Sequence, residues 1–131
     1  MPCPHCDATV VAFAVPPVLR ERAPDPLTAI CTRCLRTFPA AEADITPDER
    51  TTDDADLSAV DPAFPDGEAG VALALACGQL ESLALNRASI EALVEHAERS
   101  GADAFAFFER IDAPDAAFDL ERRRSALLDM L

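Results

Sequence analysis

Four cysteines in the first 34 residues constrain this chain more than any other feature it has. They come as two hooks, Cys3-Pro4-His5-Cys6 and Cys31-Thr32-Arg33-Cys34, with 24 residues between them. A C-x2-C hook is a tight turn that presents two sulfurs on one side. Two hooks therefore make one tetrahedral thiolate site for a metal ion. The gap is slightly longer than the usual template but short enough for one small β unit. The expected ion is zinc, one per chain, held by Cys3, Cys6, Cys31 and Cys34. Its expected role is structural, because four thiolates leave no open position for water or substrate.

Iron uses the same four-thiolate set. Hooks of the rubredoxin kind usually carry glycine after the second cysteine, whereas Asp7 and Leu35 stand there. Thioredoxin-like redox chemistry needs a single hook beside a βαβ unit, which two hooks flanking strands do not provide. His5 lies inside the first hook, where a knuckle turn points the intervening side chains outward, so it is expected to be exposed.

The residues around the hooks predict a zinc ribbon over 1–39. Residues 9–15, Thr-Val-Val-Ala-Phe-Ala-Val, are β-branched and aromatic enough for a strand. Pro16-Pro17 ends it, since neither can donate to a ladder. One helical turn over 17–22 has proline at its start, and Pro24-Asp25-Pro26 signals a turn. Residues 27–30 form a short strand into the second hook, and 35–38 leave it. About 40 residues cannot build an adequate core alone, and metal normally supplies the missing stability.

Residues 40–66 read as an acidic, mostly irregular linker. Ten Asp and Glu fall between Glu42 and Glu68 against one Arg50. Few apolar residues and high net charge cannot offset the entropy of ordering. Phe64, set between Pro62 and Pro65, is expected to dock as a plug.

Residues 67–131 read as a helical domain of about four helices. The first is expected over 68–85, apolar nearly all round and hence central. In the second, with Asn86 as its cap, Ile90, Leu93, Val94 and Ala97 follow the helical repeat and Gly101 closes it. A short helix spans 103–111, and a last one runs from 116 or 118 to the end. The fold class is thus α+β: a ribbon with a short antiparallel sheet, then the linker, then helices, with the linker expected to uncouple the two ends.

Charge bounds the function classes. The chain has a net charge of −13, and all 11 basic residues are Arg. Self-repulsion keeps so acidic a surface soluble, salt is needed to screen that repulsion, and a Lys-free, Asp- and Ala-rich chain therefore suits molar salt. Non-specific nucleic-acid binding depends on counterion release and weakens steeply with salt. No basic region followed by an apolar run marks a signal segment. The apolar stretch 71–77 falls short of the roughly 18–20 residues that span a bilayer. The expected location is cytoplasmic, with no membrane, and reducing conditions there favour metal over disulfides.

The remaining chemistry-bearing residues have ordinary expectations. Cys77, on the most apolar helix, reads as a small buried hydrophobe. His96 reads as a solvated surface residue. Arg122-Arg123-Arg124 reads as ion-paired with Asp119 and Glu121 at helical spacing. No nucleophile–base grouping, phosphate loop or carboxylate pair is present, so the chain is read as not an enzyme.

Cys-Pro-x-Cys, the Val-Ala-Phe-Ala-Val-Pro strand, Cys-Thr-Arg-Cys, Phe-Pro-Asp-Gly-Glu-Ala-Gly at 64–70 and Asp-Leu-Glu-Arg-Arg-Arg at 119–124 run through most of the chain. On these the sequence resembles small haloarchaeal zinc-ribbon proteins of uncharacterised function. The resemblance implies zinc on Cys3, Cys6, Cys31 and Cys34 and no further role. Two function classes remain. The first is a protein-interaction or adaptor module with a protein partner. The alternative is a nucleic-acid-associated ribbon of transcription or translation machinery, using Arg20, Arg22, Arg33 and Arg36 as a local basic face. A redox carrier would need bound iron.

Overall fold

The computed structural model describes residues 3–45 and 57–130. It is α+β: a three-stranded antiparallel sheet followed by four α-helices. β1 (Val10–Ala14) pairs with β2 (Leu27–Cys31), and β2 pairs with β3 (Thr37–Pro39). The register places Val10 opposite Cys31 and Ala14 opposite Leu27, then Ile30 opposite Thr37 and Thr28 opposite Pro39. Between β1 and β2, Pro17 opens a 3-10 turn, Pro17–Arg22, whose Leu19 is buried. Proline suits that position because its missing N–H has no partner to lose.

The sheet is covered on both faces, and period-two alternation sorts the residues. Val11, Phe13 and Ile30 face the main core, while Val10, Ala12, Ala29 and Cys31 face a smaller cluster around the hooks. Thr28 is fully buried, and its hydroxyl donates to the Asp25 carbonyl at 2.6 Å, which satisfies it.

α1 (Gly67–Gln79) is buried on almost every side, from Ala69 through Cys77. It stops six residues before the expected end. A 3-10 turn, Leu80–Ser82, redirects the chain, and α2 (Leu83–Arg99) begins before Asn86. Nothing in Leu80-Glu81-Ser82 breaks a helix by propensity; the turn lets Leu80 bury completely. Asn86 is thus not a cap. Its Nδ2 reaches back to the Gln79 carbonyl at 3.4 Å, which the turn leaves without a continuing helical partner. At the other end His96 Nε2 meets Glu68 Oε2 at 2.8 Å, so the two helices run antiparallel. His96 is therefore partly buried and paired, not a solvated surface residue.

Gly101, at φ +97°, closes α2, and the Ala102 N–H returns to the Ala97 carbonyl at 3.0 Å. Asp103 caps α3 (Ala104–Arg110) by accepting the Ala106 N–H at 2.9 Å. α4 (Leu120–Met130) starts later than expected, with Asp119 accepting the Arg122 N–H.

The first and third stretches of sequence meet in one core. Phe13, Val15, Leu19, Ile30 and Leu35 belong to the same buried cluster as Leu73, Leu75, Leu80, Ile90, Leu93 and Leu127. α1 lies against β3 so closely that a Cβ on Gly78 would sit 2.6–2.7 Å from Thr37 carbons. The two ends of the acidic stretch are also ordered. Ala40–Ala43 forms a 3-10 turn that buries Ala40 and Ala43 beside the hooks. Leu57 and Phe64 enter the helical core, Phe64 packing edge-on to Phe107 at 4.7 Å as the expected plug. The acidic stretch 46–56 lies outside the described residues. One run, Gly67–Arg99, is long and apolar enough to cross a membrane, but 61% of its apolar window is buried within the protein.

Candidate metal centre

The central strand β2 ends at Cys31, and the turn after it carries Cys34. The first hook folds over them. Its Asp7 N–H returns to the Cys3 carbonyl at 2.9 Å, and the Cys3 N–H meets the Ala8 carbonyl at 2.7 Å. The four Sγ atoms lie within 4.8 Å of one another. Cys3 Sγ is 3.8 Å from Cys34 Sγ, and Cys6 Sγ is 3.4 Å from Cys31 Sγ. A tetrahedral zinc with Zn–S near 2.3 Å needs sulfur–sulfur separations of about 3.8 Å, so the donor set fits. All four cysteines are free rather than bridged.

Both hooks use the same backbone device. Asp7 and Leu35, the residues after each second cysteine, hold left-handed backbone at φ +66° and +64°. Glycine adopts this at no steric cost, so the absence of glycine changes the side chain and not the turn. The sequence argument from glycine against an iron-type hook therefore loses its conformational basis. The turns aim N–H groups at sulfur: His5 N–H to Cys3 Sγ at 3.4 Å, and Arg33 and Cys34 N–H to Cys31 Sγ at 3.4 Å. Such donors stabilise thiolate charge.

Cys3, Cys31 and Cys34 are at most 3% exposed, while Cys6 is half-buried. Opposed influences act on the sulfurs. The Ala8 backbone N–H, more than the neighbouring thiols, lowers Cys6 to about 7. Burial pushes Cys31 up and Cys34 up to about 12. Desolvated thiolates need a positive charge among them, and binding one releases their protons.

The other singled-out residues stand apart from this cluster. His5 is exposed, edge-on to Phe38 at 6.1 Å. Cys77 is fully buried in α1. Arg124 binds Glu121 and the Ile111 carbonyl, and Arg123 donates to the Glu81 carbonyl at 3.2 Å. Sequence reasoning missed one support: the Ala117 N–H donates to the Cys34 carbonyl at 2.9 Å. No local pattern signals a contact across 83 positions made by a backbone amide. Beside the hooks, Asp7, Thr9, Thr32, Arg33, Asp112 and Asp115 line a polar groove of about 420 Å³.

This arrangement spans a chain whose length is matched almost entirely by one family model, over residues 2–131. The protein belongs to DUF6276, a family of unknown function. No curated protein and no solved structure matches it. For this DUF6276 chain, the quartet is the one His, Cys or carboxylate cluster of metal-binding geometry among the described residues.

Proposed function

We propose that this protein is a cytoplasmic, non-enzymatic zinc-binding module that recognises a protein partner, with one structural zinc on Cys3, Cys6, Cys31 and Cys34. The observation that carries the reading is the convergence of four sulfurs within 4.8 Å. Four thiolates complete a tetrahedron and leave the ion no catalytic position. The polar groove between the hooks and residues 112–115 offers a recognition surface. The Lys-free acidic composition supports an origin in a salt-rich cytoplasm, as the haloarchaeal resemblance implies.

The arrangement of arginines weighs against the nucleic-acid alternative. Arg20 donates to the Val15 carbonyl at 3.0 Å, Arg36 lies 3.7 Å from Glu81, and Arg22 lies 3.9 Å from Glu21. Arg33 stands at the groove instead. Such separate engagements lend no support to a single phosphate-tracking face.

Elemental analysis of native protein is expected to give about one zinc per chain. Iron at that level, or no metal with intact thiols, contradicts the reading. Affinity capture at high salt, with mass spectrometry, is expected to recover a protein partner resistant to nuclease. Loss of the captured material on nuclease treatment would favour the alternative.

A further inference from the structure

The two hooks of the cysteine centre are rooted unequally. Cys31 is the last residue of β2, and its N–H bonds the Arg36 carbonyl at 3.0 Å. The Cys34 carbonyl accepts the Ala117 N–H at 2.9 Å, and Leu35 behind it is 1% exposed in the main core. The second hook thus cannot move without disturbing the sheet, the core and the segment before α4. The first hook closes on itself through Asp7 to Cys3 and Cys3 to Ala8. Its Pro4, His5 and Asp7 are exposed, with His5 resting edge-on to Phe38. Cys6 alone of the four is not fully buried.

Segments with few buried contacts open locally at low free energy, while core elements open only with the whole fold. We infer that Cys6 is the exchange ligand of the centre, the thiolate that yields first to an incoming soft donor such as a thiolate, while Cys3, Cys31 and Cys34 keep their hold. The inference rests on the metal-binding reading above. In the exchange, Cys6 Sγ gives up its bond to the ion as the sulfur of the incoming thiolate forms one. One thiolate replaces another, so the charge balances without a proton, and no electron changes hands. Asp7, the residue after Cys6, lines the adjoining polar groove.

The test alkylates the zinc-loaded full chain with N-ethylmaleimide over time, maps the adducts by mass spectrometry and reads released zinc with pyridylazoresorcinol. Cys6 is expected to react about tenfold sooner than the other three, with zinc release following that first adduct. Cys77, fully buried in α1, is expected to stay unlabelled and so reports an intact fold. Earlier reaction at Cys31 or Cys34, or all five cysteines reacting together, overturns the proposal. In a second arm, Cys6→Ser is expected to retain zinc at excess metal but to lose it to EDTA roughly tenfold faster than wild type, while Cys34→Ser fails to retain it. Equal loss in the two variants also overturns the proposal. Native protein without zinc defeats the metal reading itself, and that result is visible before any reagent is added.

Discussion

At the residue scale, the convergence of the four cysteines was legible because its signal is local: two hooks, each with its chemistry explicit in four letters. The backbone that shapes the hooks was not, since Asp7 and Leu35 occupy a conformation that sequence reasoning assigns to glycine. The Glu68–His96 pair was hidden by its 28-residue separation. Cys77 behaves as its neighbours implied, and it makes a clean prediction. Burial, with a smaller push from Asp61, raises its thiol well above the ordinary value. A raised folded pKa contributes stability that is complete below the unfolded value, near 8.5, and is lost as pH climbs above it. The unfolded thiol ionises there while the folded one stays protonated, at a cost of about 1.4 kcal/mol per pH unit. With no Lys and no Tyr in the chain, no other side-chain type except the cysteines of the hooks changes charge between pH 9 and 11. Metal-held thiolates add no slope there, because the unfolded thiols are ionised too. Wild type should therefore lose stability steadily over that range. Cys77→Ala, though weaker at neutral pH, should show a flatter profile; parallel profiles in denaturant titrations would contradict this.

At the scale of elements, β1, β2 and the first turn could be read because β-branched runs and prolines act locally. β3, by contrast, starts two residues later than expected, because Leu35 holds left-handed backbone, and it includes Pro39. β2 is apolar on both faces, with Ala29 and Ile30 alternating, and that is the mark of a strand covered twice. The break at Leu80–Ser82 carried no such mark, because packing rather than propensity sets it. Packing also explains Gly78. In an exposed helix, Gly→Ala would stabilise by about 1 kcal/mol. Here the added methyl would press on Thr37 of β3, with carbons at 2.6–2.7 Å besides the hydroxyl. Gly78→Ala is expected to be destabilising by about 1–2 kcal/mol net, since a β-branched strand residue has little room to yield. A raised melting temperature for Gly78→Ala would show that α1 does not lie on the sheet as described.

At the scale of the molecule, composition divided the chain into three stretches, and the core joins the outer two. Only tertiary contact could reveal this, since a ribbon's inner face looks the same whether a helix or water covers it. Leu35 sits directly after Cys34 and within the helical core, so loss of the metal site should be felt by the helices. Cys31→Ser is expected to lower the midpoint of the helical circular-dichroism transition, instead of sparing it as the acidic linker alone would lead one to expect. Removing one member of a buried set costs several kcal/mol where metal binding and folding are coupled. An unchanged helical midpoint would mean that ribbon and helices fold independently despite their shared core.

The proposed centre has four sulfur ligands, and X-ray absorption at the zinc edge reads that directly. The purified full-length protein should show zinc with a single shell of four sulfurs at about 2.3 Å. A nitrogen or oxygen contribution near 2.0–2.1 Å, fewer than four sulfurs, or iron in place of zinc would contradict the account.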